Sequence, residues 1–97
     1  MVIADLDEVT FDLEVDGEQV RKQLSRRVWE RSGWATIVCA YEERGAGGEW
    51  KSKVALLRFR REHEVWKRLA AITLSGAEAL EMVDTVAQWR ELIEKHA

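Results

Sequence analysis

Thirteen of the chain's fifteen lysines and arginines fall between Val20 and Arg68, and four of its five tryptophans lie among them. Only six acids share that stretch, so it carries a local charge of +7 in a protein whose net charge is −3. Guanidinium and ammonium groups pair with phosphates and displace their condensed counterions, while indole rings stack on unpaired bases. Cations interleaved with flat rings therefore fit a nucleic-acid-binding surface. Duplex bases are already stacked, so the composition favours single strands. The candidate phosphate contacts are Arg21, Lys22, Arg26, Arg27, Lys51, Lys53, Arg58, Arg60, Lys67 and Arg68, and the candidate stacking residues are Trp29, Trp34, Trp50 and Trp66. A plainer reading competes. Arginines on an exposed sheet edge deter aggregation, tryptophans fill cores, and Glu42, Glu43, Glu49 and Glu62 stand ready to neutralise the bases.

Other chemistry is poorly supported. Glu62-His63-Glu64 and His96 are the nearest approach to a metal or acid–base set, but adjacent turn residues do not converge on one point. Gly45-Ala46-Gly47-Gly48 lacks the following Lys-Ser/Thr of a phosphate-cradling loop and reads as a hairpin loop. Cys39 sits in the most apolar stretch and reads as a small buried hydrophobe. No enzyme, metal or cofactor is expected.

The elements that must position these residues are mostly strands. Val9, Phe11, Leu13 and Val15 alternate with polar residues, the period of a half-buried strand, and Asp16-Gly17 follows as a hairpin turn. Residues 18–31 are ambiguous. A returning strand completes the hairpin, whereas Val20, Leu24 and Val28 at four-residue spacing fit a helix ended by Gly33; the strand is favoured. Trp34–Arg44, Trp50–Arg61 and Val65–Leu74 read as further strands, the last with Trp66, Arg68, Ala70, Ile72 and Leu74 on one side. Ser75-Gly76-Ala77-Glu78 is a capping-box signature opening a helix over 76–96, with Ala79, Met82, Val83, Val86, Trp89 and Ile93 as its buried stripe. The expected fold is α+β: an antiparallel sheet of four to five strands with one C-terminal helix packed on one face.

Ninety-seven residues fit one domain, 1–97, with residues 1–8 as a flexible lead-in. No apolar run is long enough to span a membrane, and the N-terminus does not resemble a signal peptide. A lone cysteine agrees with a reducing, cytoplasmic setting. Residues 1–19 hold seven acids and no base, so this segment could fold over the basic stretch and compete with phosphate.

Strands followed by one capped helix resemble the single-stranded-nucleic-acid-binding superfamily of whirly, Pur-alpha and positive-cofactor-four proteins. Lys67-Arg68-Leu69-Ala70-Ala71-Ile72-Thr73-Leu74-Ser75 is similar to the strand that opens the terminal helix there, and Arg21-Lys22-Gln23-Leu24-Ser25-Arg26, with Trp29 after it, to the basic first strand of small bacterial members. The likeness covers about a third of the chain, and Ala70-Ala71 replaces the usual glycine pair. The resemblance implies a homodimer packed partly through terminal helices, single strands crossing the exposed sheet, and a role in transcription, replication or repair. The helical reading of 18–31 would instead look like a double-stranded-RNA-binding domain, without that module's basic second-helix start.

Overall fold

The computed structural model describes residues 1–97. Six strands form one antiparallel sheet: β1 (Val2–Ile3), β2 (Leu13–Val15), β3 (Glu18–Arg31), β4 (Trp34–Arg44), β5 (Trp50–Glu62) and β6 (Val65–Ser75). Their spatial order is β1-β6-β5-β4-β3-β2. Helices α1 (Gly76–Gln88) and α2 (Arg90–Glu94) follow. No helix is long and apolar enough to cross a membrane. Residues 18–31 are a strand, because tight turns close both ends. Asp16-Gly17 and Ser32-Gly33 each hold two successive positive φ angles, 53°/81° and 52°/79°, the geometry of a two-residue hairpin. Ladder pairing to β4 along almost the whole of β3 outweighs the helix propensity of its Lys, Arg and Gln.

The sheet has six strands rather than four or five because the lead-in is structured. Val2–Ile3 adds β1 to the edge of β6, and Leu6–Glu8 forms a 3₁₀ turn capped by Asp5. The Asp5 side chain accepts from Asp7 N at 2.8 Å, and Glu8 reaches back to Asp5 N at 2.8 Å. These bonds aim Ile3, Leu6 and Val9 at one face of the sheet, where they close over Ala35, Ile37, Leu57, Phe59 and Trp66. Phe11 extends the layer and stacks on Tyr41 at 4.8 Å. Val9 and Phe11 therefore face inward as their alternation predicts, although the regular strand begins only at Leu13.

We call this side the core face and the other the outer face. Alternation in β4 and β5 is clean: Ala35, Ile37, Cys39, Tyr41, Ala55, Leu57 and Phe59 are buried, and their neighbours are not. Burial pushes the Cys39 thiol above its ordinary value, which fits a packing role. Elsewhere bulges break the alternation, one where β2 meets β3 at Val20 and two more in β3 and β6 that bear on the basic face. Leu24 is the extra residue in β3 and Leu69 in β6, and each insertion swaps the faces of the residues beyond it. Trp66 and Arg68 are consequently on the core face, while Ala70, Ile72 and Leu74 lie on the outer face, and the side shared by all five in the sequence pattern does not exist.

The Ser75 hydroxyl accepts from Glu78 N at 3.1 Å and starts α1 as expected, without the reciprocal Glu78 bond; Ser75 still pairs with Lys53 in the sheet. The helix breaks at Trp89 instead of running through to residue 96. It meets β5 and β6, yet only Ala79 of the expected stripe is buried, and Trp89 is 50% exposed. Between α1 and the outer face lies an open groove of about 550 Å³, lined by Val38, Val54, Leu56, Leu74, Leu80 and Val83 among others.

Candidate nucleic-acid interface

Residues paired across antiparallel strands share a face, so register decides which basic side chains gather. Arg31 pairs with Trp34 and Trp34 with Arg60, which pairs with Lys67. Trp29 pairs with Thr36, Thr36 with Arg58, and Arg58 with Ala70. Arg27 follows one row further along. One end of the outer face thus carries Arg27, Trp29, Arg31, Trp34, Arg58, Arg60 and Lys67 together.

Its geometry is specific. The Arg58 and Arg60 guanidiniums lie 4.8 and 4.9 Å from the Trp34 ring centre, and Arg27 lies 4.8 Å from that of Trp29. Such cation–π contacts orient the rings without consuming the positive charge. Arg58 also donates to the Thr36 hydroxyl at 2.7 Å, which fixes its side chain. Between the indoles is an open cleft of about 390 Å³ lined by Trp29, Arg31, Ser32, Trp34, Thr36 and Arg58. No acid lines it, and none of the cluster's bases has a carboxylate within ion-pair distance. Trp29, at 49% exposure, is the more open of the two indoles.

The remaining sequence candidates are elsewhere. Arg21, Arg26, Lys51, Lys53 and Arg68 belong to the core face by register. Arg26 donates to the main-chain oxygens of Leu6 and Val9 at 3.1 and 2.9 Å and to Asp7 at 2.8 Å, so it anchors the N-terminal segment. Trp66, at 4% exposure, is a core residue. Lys22 and Trp50 lie on the outer face at its opposite end; Trp50 pairs with Arg44, ten residues along β4 from Trp34 and about 30 Å away. Arg31 and Thr36 complete the cleft but were absent from the sequence candidates. The overlooked signal was Ser32-Gly33, whose hairpin sets Arg31 beside Trp34.

On the core face, Glu43 accepts from Lys53 Nζ at 2.8 Å and Arg21 Nε at 2.9 Å. Hydrogen bonds from Lys53 and then Arg21 hold the Glu43 carboxyl below the usual carboxylate range. A carboxylate with a depressed folded pKa stabilises the fold above its unfolded pKa and loses that contribution as pH falls through the folded value. Wild-type melting temperature should therefore fall more steeply below about pH 5 than that of Glu43→Gln. Parallel melting curves would show that Glu43 has no such role.

The fold and the site together define a class: an α+β protein with an antiparallel sheet, bearing a basic, indole-containing cleft on one face. Comparison with protein-family models, curated proteins and solved structures returned no match for this chain.

Proposed function

We propose that this protein binds single-stranded DNA or RNA with little sequence preference, acting as a homodimer in support of transcription or replication. The observation that carries the reading is the cleft between Trp29 and Trp34, flanked by Arg31 and Arg58 and free of acids. Stacking on an open indole face tolerates any base, and unpaired arginines hold the backbone, which is the economy of sequence-tolerant recognition. No catalytic step is assigned.

The test is a tryptophan-fluorescence titration with a single strand of about 20 nucleotides and with its matching duplex, at low and moderate salt. Quenching by the single strand alone, weakening steeply with salt, is expected. Trp29→Ala should lose about 1–3 kcal/mol of binding, the contribution of one stacked base. No response to either nucleic acid would overturn the reading.

A second reading has its own observation. Leu80, Val83 and Val86 on α1, with Trp89 at its C-terminal cap, form an apolar surface that the sheet leaves open, as in a small non-enzymatic protein–protein interaction or oligomerisation module with a basic face. Native mass after nuclease treatment separates the two readings.

A further inference from the structure

The two edges of the sheet are built differently. Outside the short β2, the β3 edge carries Arg26, Arg27, Glu30 and Arg31. Charges of this kind oppose pairing with another chain. At the far edge β1 covers only Trp66 and Lys67 of β6, and Arg68 N donates to Met1 O. Beyond that point Leu69-Ala70-Ala71-Ile72-Thr73-Leu74-Ser75 has no strand on the side away from β5, no charge and no proline. Ile72 is 53% exposed there. The molecule is also a slab, 49 × 38 × 17 Å, with a radius of gyration of 15.7 Å where a compact chain of this length has ~12–13 Å.

We infer that the open β6 edge pairs antiparallel with the β6 edge of a second copy, joining two sheets into one. The inference rests on the homodimer in the proposed function and supplies its interface. A strand paired antiparallel with itself is compatible with a two-fold axis, so one sequence serves both sides. The open run is centred on Ile72. An axis there sets Ile72 opposite Ile72 of the partner subunit and extends the outer-face row Val38–Leu56–Ile72 into its symmetry mate. That register pairs Leu69 with Ser75 of the partner subunit and stops short of Arg68, whose N–H already donates to Met1 O.

Sedimentation equilibrium of the full chain at micromolar concentration should give a dimer. Ile72→Lys and Ile72→Glu should each be monomeric, and their equimolar mixture should form the mixed dimer. Ile72→Cys, a smaller change, should form an interchain disulfide on oxidation, because directly opposed antiparallel residues have Cα atoms ~4.5–5.5 Å apart. The only native cysteine, Cys39, is buried and does not compete. A monomeric wild type would overturn the whole inference. A wild-type dimer that persists in Ile72→Lys, or Ile72→Cys without a crosslink, would move the interface away from this edge. Single-strand quenching by Ile72→Glu separates the two levels: the cleft reading expects it retained per chain, whatever the state of assembly.

Discussion

Arg31→Glu combined with Arg58→Glu should weaken single-strand binding about a hundredfold at low salt, since each reversal removes a phosphate contact and adds a repulsion. The salt dependence should also flatten: two lost contacts lower the slope of log affinity against log salt by ~1.4 for a single strand. Both side chains are exposed, and neither is in an ion pair, so the folded state loses little beyond the Arg58–Thr36 hydrogen bond. The useful control is Lys51→Glu with Arg68→Glu, two exposed bases on the core face. If the controls matched the cleft variants, nonspecific net charge would explain the binding and the cleft would lose its role. Unchanged affinity in the cleft variant would also refute the assignment.

Deleting residues 1–8 should cost most of the fold's stability. Ile3 and Leu6 are buried against the sheet, and losing even a single buried Leu or Ile side chain typically costs ~2–5 kcal/mol. The deletion also removes β1 and two of the three acceptors that hold Arg26, in a domain whose total stability is ~5–15 kcal/mol. A melting temperature lower by about 20 °C, or no cooperative transition, is expected by thermal denaturation. The alternative, an acidic segment that shields the basic surface, expects an intact fold and tighter binding to nucleic acid. Geometry favours the first outcome, because the segment packs on the core face and the cleft opens on the outer one. A truncated protein that melts normally would refute the structural role.

Much of the scaffold was legible in the sequence because its signals are local. Strict alternation marked the central strands, since buried residues in β4 and β5 recur every second position whatever lies beyond them. Asp16-Gly17 marked a turn because few other dipeptides accept two positive φ angles, and Ser75 marked the helix start because an exposed N–H needs an acceptor. The clustering of arginine and tryptophan in the middle of the chain was equally plain. What these signals cannot carry is the side of the sheet on which a residue ends. One inserted residue reverses every side chain beyond it, and the bulges at Leu24 and Leu69 leave no mark in composition. They decide that Lys67 stands with Arg60 whereas Arg68 stands with Phe59, and that Trp66 is core whereas Trp29 is surface. The lead-in was misread for a related reason. Ile3, Leu6 and Val9 follow no single period, and only the apolar floor of β4 and β5 shows that they have a surface to cover. Residue type and spacing thus set the strands and their charge, while the joining of strands into one sheet chose the face, because burial depends on neighbours distant in the chain.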